Sequence, residues 1–432
     1  MSKGTASKPT ARTIAARALL RVERDQAFAA AALDAELERS QELVGRERAL
    51  ATELVYGTLR SRGALLTRLL RFAPRGVSDD EVLVHLLVAA YQVLVLERIP
   101  AFAAVDAAVG EIGRLRGSKV SGFANAVLRK LVGTGEKLDR AQAVRESVPG
   151  WLLARLESAV GQAEADALIG AASEPPRLVA RVRDGAELPI WLAEAAALPG
   201  VSRARVVPEG TGDPRKLPGF AEGVFTIQEP GAQLIGLALG ARPGERVLDA
   251  CAGRGQKTSL LREQVSDSAE LWACDLHPRK LEQLGDEFRR LRLAEPRTAA
   301  VDWSVGPGAV PGEFDRVLVD APCTGTGTLR KRPEIWGRLS PEDPARLGEL
   351  AARILLGAAA RAKPGGRVVF AVCSVLPEEA ERVVERVAAE LEPVPFDAPE
   401  LAALSAGSSS LRLLPLAHGT DGYFVQSLRR RG

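Results

Sequence analysis

The chain is poor in the residues that most often announce chemistry. Its 432 residues include four cysteines, three histidines and one methionine. The cysteines, at 251, 274, 323 and 373, all lie in the C-terminal half, and no two have Cys-x-x-Cys spacing. A secreted scaffold stapled by disulfides uses more of them, and a structural zinc site needs closer spacing. His277 and His418 stand apart, so metal is a poor explanation. Three histidines also leave little scope for a Ser-His or Cys-His hydrolase. His85 sits in an apolar helical stretch and reads as core. No apolar run is long enough to span a bilayer: the longest, Val82–Leu96, is interrupted by His85, Tyr91 and Gln92. Met1–Arg12 lacks the apolar segment of a signal peptide. The expectation is a cytoplasmic, monomeric protein with reduced thiols and no membrane partner.

What is present is ordinary soluble composition, 46% hydrophobic and 26% charged. That is enough chain for two to four domains with cores of their own. The net charge of +3 is uneven. Residues 1–150 carry 23 Lys and Arg against 17 Asp and Glu, a net +6, which leaves −3 for the rest. A basic front half fits either a polyanionic partner or an Arg-rich helical surface.

The hydrophobic period divides the chain. Residues 1–10 are small and polar and read as a frayed tail. From Ala11 to about Leu131 apolar residues recur at helical spacing, as in Ile14, Ala18, Leu19 and Val22, which predicts six or seven helices beginning with Ala11–Arg24. Pro149-Gly150-Trp151 opens another helix, expected to reach Ala172. Strand-like Leu178–Val182, a helix over 189–197 and a strand over 203–207 then predict a small α+β domain at 141–220, between a helical domain at 11–140 and an α/β domain at 221–432. In that last part, near-continuous apolar runs at 246–250, 271–275, 298–302, 315–320, 367–373 and 422–428 alternate with amphipathic helices, the pattern of a buried parallel sheet. Four runs end in, or within a residue of, Asp249, Asp275, Asp302 or Asp320. In open α/β sheets ligands bind at those carboxyl ends.

The turn Cys251-Ala252-Gly253-Arg254-Gly255-Gln256-Lys257-Thr258 joins a strand to a helix. Its glycines permit tight dihedrals and close ligand approach, and the helix offers free N–H groups. It is neither a P-loop nor the dinucleotide Gly-x-Gly-x-x-Gly. Asp275 is placed to accept ribose hydroxyls and Asp302 to meet a base, so an adenosine-bearing cofactor fits; the alternative is that each Asp caps the next helix. Further on, Asp320-Ala-Pro-Cys323 and Phe370-Ala-Val-Cys373-Ser374 put one carboxylate and two thiols at neighbouring strand ends. Arg330, Lys331, Arg332 and Arg338 form a basic cluster suited to phosphates, and Trp336 among them either stacks on a base or packs.

These motifs resemble the two-cysteine RNA 5-methylcytosine methyltransferases of the Nop/Sun type. The helical front domain, through Arg48–Arg60 and Phe123–Arg129, resembles the antitermination factor NusB. Gln228–Leu234 and Asp421–Phe424 match as well, and the resemblance spans nearly the whole chain. The combination is that of the bacterial 16S ribosomal RNA cytosine-5 methyltransferases of the RsmB/Sun type. It implies a NusB-like helical RNA-binding domain, a small α+β domain and a Rossmann-like class I methyltransferase domain. It also implies S-adenosylmethionine as methyl donor on Cys251–Lys257, with Asp275 at the ribose and Asp302 near the adenine. It further implies Cys373 as nucleophile, Cys323 assisting product release, and Asp320 contacting the cytosine. The family's usual turn reads Cys-Ala-Ala-Pro-Gly-Gly-Lys-Thr; here Gly253, Arg254 and Gln256 stand where Ala, Pro and Gly are usual. A transfer-RNA cytosine methyltransferase and a non-catalytic RNA-binding assembly factor are the competing expectations.

Overall fold

The computed structural model describes residues 9–198 and 200–432, so the expected tail over residues 1–10 lies largely outside the described residues. The chain forms two compact units. One holds the residues up to Ala154 with Ile169–Pro175 and Leu329–Leu339; the other holds Arg155–Leu168, Pro176–Thr328 and Ser340–Gly432.

Seven helices fill the front of the chain among the described residues: α1 (Ala11–Arg24), α2 (Ala29–Glu38), α3 (Gly45–Arg60), α4 (Arg62–Leu70), α5 (Asp80–Leu94), α6 (Ala101–Arg116) and α7 (Ser118–Gly133). Thr10 closes a capping box with Thr13, which starts α1 at Ala11. Asp79 accepts from the Glu81 and Val82 N–H groups and starts α5. α5 is buried on almost every side from Val84 to Leu94. The longest apolar run in the sequence is thus the central helix of a bundle. No helix among the described residues is long and apolar enough to cross a membrane. His85 is buried there, and burial lowers its pKa. Gly57 permits the closest crossing, since a Cβ on it would lie 2.1 Å from Cζ of Tyr91. Tyr91 is anchored by donating to Glu53 at 2.6 Å.

α8 (Arg140–Arg145) follows. The single helix expected from Pro149 to Ala172 is two, α9 (Gly150–Val160) and α10 (Gln162–Ala171). Gly161 between them has φ +79°, outside helical space. The small α+β part contains β1 (Val179–Val182), the short α11 (Ile190–Ala193), β2 (Ala197–Leu198), β3 (Val201–Val206) and β4 (Phe225–Ile227). They form an antiparallel sheet in the order β2-β3-β1-β4. The helix expected over 189–197 ends at Ala193, and Ala197 pairs in β2 instead.

The C-terminal part begins with α12 (Pro230–Ala238), β5 (Val247–Asp249), α13 (Gln256–Val265), β6 (Leu271–Asp275), α14 (Pro278–Leu291), β7 (Arg297–Ala300) and β8 (Phe314–Asp320). α15 (Asp343–Ala359), β9 (Ala362–Val372), α16 (Glu381–Arg386), β10 (Leu391–Pro393), α17 (Pro399–Leu404), β11 (Ser410–Leu413), α18 (Pro415–His418) and β12 (Tyr423–Arg430) complete it. The sheet runs β10-β12-β9-β8-β5-β6-β7, with β11 paired to β12. β7, β6, β5, β8 and β9 are mutually parallel, and β12 is antiparallel to β9. The carboxyl ends of β5, β6, β8 and β9 therefore share one edge. Buried Arg181 of β1 bonds Glu263 (2.8 Å) and Ser259 (2.6 Å) of α13, tying the small sheet to the helix behind the site.

Candidate active site

The turn after β5 is built for a ligand to approach. Gly253 has φ +56°, and Gly255, with φ +84°, is the left-handed residue that launches α13. A Cβ on Gly255 would press Cγ of Leu284 at 2.6 Å, whereas the space over Gly253 is open. Asp275, at the end of β6, accepts from the Gly253 N–H (3.1 Å) and the His277 N–H (2.8 Å) and pairs with Lys280. It therefore holds the turn in shape at the very edge a ribose would meet. Asp249 is buried and accepts from Thr258 Oγ1 at 2.7 Å, leaving Oδ1 without a partner. Burial pushes its pKa up to about 7. Cys251 has its thiol pKa raised by burial and by neighbouring carboxylates, while Ala252 is buried and Arg254 is exposed. Gln256 spends its side chain on the Ile227 carbonyl (3.1 Å). Asp302 is exposed and caps a short turn through Ser304. The strand-end acids and the exposed Leu276 and Val305 beside them suit an adenosine-bearing molecule. Among the described residues no group of three or more His, Cys, Asp and Glu could hold a metal ion.

The chemical groups converge at the next strand ends. Lys257 Nζ lies 2.6 Å from Asp320 Oδ2. Burial lowers the pKa of this ammonium, but Asp320 and Asp249 outweigh burial and the net shift is upward. Cys323 and Cys373 are free thiols with sulfurs 3.3 Å apart. The pKa of Cys323 is raised, first by its contact with Cys373 and then by burial.

The loops carrying these sulfurs are locked. Ala321 N–H donates to Ala371 O (2.9 Å), and Gly327 N–H donates to Cys373 O (3.0 Å). Gly422 N–H donates to Gly327 O at 2.8 Å. A Cβ on Gly327 would fall 1.9 Å from Gly422 O, so these glycines let two backbones touch. The Asp421–Phe424 motif is therefore a brace for the Cys323 loop. The Gln228–Leu234 motif joins it: Glu229 accepts from Asp421 N–H (2.9 Å) and caps α12 through Ala232 N–H (3.0 Å).

A family model described as 16S rRNA methyltransferase RsmB/F matches residues 236–429, and one for the NusB family matches residues 9–133. The chain is 32% identical to the probable ribosomal RNA small subunit methyltransferase B of Bacillus subtilis, over 98% of this chain and all of that one. The chain belongs to the RsmB/F methyltransferase family. The ribosomal RNA small subunit methyltransferase B of Pseudomonas putida is 35% identical, over 87% of this chain and 88% of that one. The crystal structure of PH0851 shares the fold with TM-score 0.82 at 22% identity, covering 98% of this chain and 99% of that one.

In this RsmB/F chain the basic cluster lies in the helical unit. Arg338 donates to the carbonyls of Val22 and Ala27, and Arg330 to that of Pro175. Arg332 lies over the Phe28 ring at 5.3 Å and is exposed; Lys331 is half-buried. Trp336 is 4% exposed and packs, which resolves the choice left open by the sequence. Sequence reasoning assigned Lys257 only to the cofactor turn and gave Glu379 no role. Lys257 meets Asp320, and Glu379 receives hydrogen bonds from both cysteine loops. The signal for Glu379 was its place at the end of the Cys373–Glu379 motif, with a hydroxyl residue following each cysteine.

Proposed function

We propose that this rRNA methyltransferase methylates carbon 5 of a cytosine in 16S ribosomal RNA through a covalent cysteine adduct. The observation that carries the reading is the pair of free thiols 3.3 Å apart beside the Lys257–Asp320 ion pair. Carbon 5 of cytosine is a poor nucleophile. Addition of the Cys373 thiolate to carbon 6 makes it enamine-like. Asp320 faces ring nitrogen 3, and a proton shared with the Lys257 ammonium beside it steadies the negative charge that develops there. Cys251–Lys257, with Asp275 and Asp302 at the adenosine, would hold S-adenosylmethionine so that carbon 5 takes its methyl while the sulfonium sulfur keeps the electrons of the broken bond, leaving S-adenosylhomocysteine. Cys323 then takes the carbon 5 proton, and the sulfur of Cys373 leaves carbon 6 with the electrons of its bond, restoring the ring. Arg332, exposed beside the Phe28 ring, is the most exposed of the four basic residues offered to RNA phosphates, with Lys331 next to it. Arg330 and Arg338 give part of their donors to backbone carbonyls.

The test uses tritiated S-adenosylmethionine and unmodified 16S ribosomal RNA. The wild type labels cytosine, Cys373→Ala does not, and Cys323→Ala accumulates a protein–RNA adduct. Label in transfer RNA alone would overturn the substrate; label with Cys373→Ala would overturn the mechanism.

A further inference from the structure

Glu379 lies at the end of a short 3-10 turn, Pro377–Glu379, and is fully buried. Its carboxyl group receives three hydrogen bonds. Thr324 donates its N–H to Oε1 (2.6 Å) and its hydroxyl to Oε2 (2.5 Å), and Ser374 donates its hydroxyl to Oε2 (2.5 Å). Thr324 directly follows Cys323, and Ser374 directly follows Cys373. One carboxyl group thus holds the residue next to each sulfur. Ser374 Oγ is also 2.9 Å from Thr326 Oγ1 and accepts from Leu376 N–H (3.2 Å), so both hydroxyls have their protons directed at Glu379. The turn bearing Glu379 reaches this depth because Gly348 of α15 leaves room: a Cβ there would lie 2.0 Å from Glu378 O. No atom of Glu379 is in hydrogen-bond contact with the cofactor turn or with Asp320.

We propose that Glu379 is a positioning residue that sets the spacing and orientation of Cys323 relative to Cys373. The inference rests on the covalent-adduct reading above. A polar clamp buried at this depth is costly to leave half-satisfied, and small displacements of reacting groups cost rate steeply. In Glu379→Gln one oxygen is replaced by an NH2 donor, so the three donors cannot all keep an acceptor: an amide oxygen at the Oε2 place leaves the Thr324 N–H facing the NH2 group, and the reverse leaves both hydroxyls facing it. The side-chain volume is conserved.

The experiment compares wild type, Glu379→Gln and the double variant Thr324→Val/Ser374→Ala, using RNA in which cytosine is replaced by 5-fluorocytosine. Readouts are the rate of the Cys373-dependent adduct, kcat and KM on ordinary RNA, and S-adenosylmethionine affinity. The expected result is unchanged donor affinity, with adduct formation and kcat reduced on the order of 100-fold in both variants. Adduct formation at the wild-type rate in a folded Glu379→Gln overturns this inference alone. No adduct in the wild type overturns the covalent reading and this inference with it. If Glu379→Gln does not fold, the double variant decides by the same rates; failure of both to fold overturns the inference by making Glu379 a core residue only.

Discussion

At the scale of the residue, the two sulfurs are the sharpest feature. Thiols 3.3 Å apart, with no disulfide between them, need only a small approach to reach bonding distance. Cys274 is fully buried, and Cys323 and Cys373 have their sulfurs in direct contact. Diamide should therefore join Cys323 to Cys373 within one chain, abolish methyl transfer, and do so reversibly with dithiothreitol. Peptide mapping of the oxidised protein would show the pair. A different pairing, or intact activity after complete oxidation, would mean the sulfurs are not neighbours in solution. Asp249 offers a second residue-scale check. Burial raises its folded-state pKa from an ordinary 3.8 to about 7. The folded chain thus keeps a proton there that the unfolded chain has released. Its stabilising contribution is complete below about pH 4 and is lost as the pH rises to about 7. Asp249→Asn keeps an acceptor for Thr258 and removes the titration. Its Tm relative to wild type should therefore climb between about pH 4 and pH 7 and level off above that. A pH-independent difference would show that Asp249 is ionised throughout.

At the scale of the element, the site hangs on backbone contacts that only glycine allows. Gly327→Ala drives a methyl group into Gly422 O, and the expected cost is about 1–3 kcal/mol from overpacking. Because that contact holds the Cys323 loop, activity should fall further than stability; urea unfolding and turnover on the same sample would separate the two. Equal losses would make the contact purely structural. The legibility of the sequence also changes at this scale. β5, β6, β8 and the end of β9 were visible because both faces are buried and their apolar runs are continuous, and the strand-end acids and cysteines followed from them; β7, expected to be buried as well, is a largely exposed edge strand. β4, β10 and β11 were not visible: at three or four residues they are too short for a period to stand out, even in β11, where Ser410–Leu413 alternates. The break at Gly161 was masked because α9 and α10 keep an apolar pattern on both sides of it. Asp302 was legible as a strand-end acid, but β7 stops at Ala300, so its carboxylate caps a turn as the alternative reading allowed. Glu379 was illegible as a partner of Thr324 because the two are 55 residues apart and meet only through the fold.

At the scale of the whole molecule, the basic segment shows why a contiguous sequence cluster is a weak guide to a surface. Arg330, Lys331, Arg332 and Arg338 lie in a stretch grouped with the helical unit, and part of their charge is spent on carbonyls and a ring. The helical unit has its own core, from Ile14 through Leu54, Leu65 and Val88 to Leu131, and the sheet has another around Leu248, Val317, Val368 and Phe424. Separate cores in a chain of this length favour more than one unfolding step. Scanning calorimetry should therefore resolve two transitions. A methyl donor held as proposed by Cys251–Lys257, which lie in the sheet unit, should raise only one of them, by about 2.7 kcal/mol when present at about 100 times its Kd. A single transition that shifts as a whole would instead mean that Leu329–Leu339, which leaves the sheet unit and packs with the helices, couples the two cores into one cooperative structure. That outcome would move the explanation of stability from the cores to this segment, and Trp336→Ala, which empties its buried side chain, should then uncouple them.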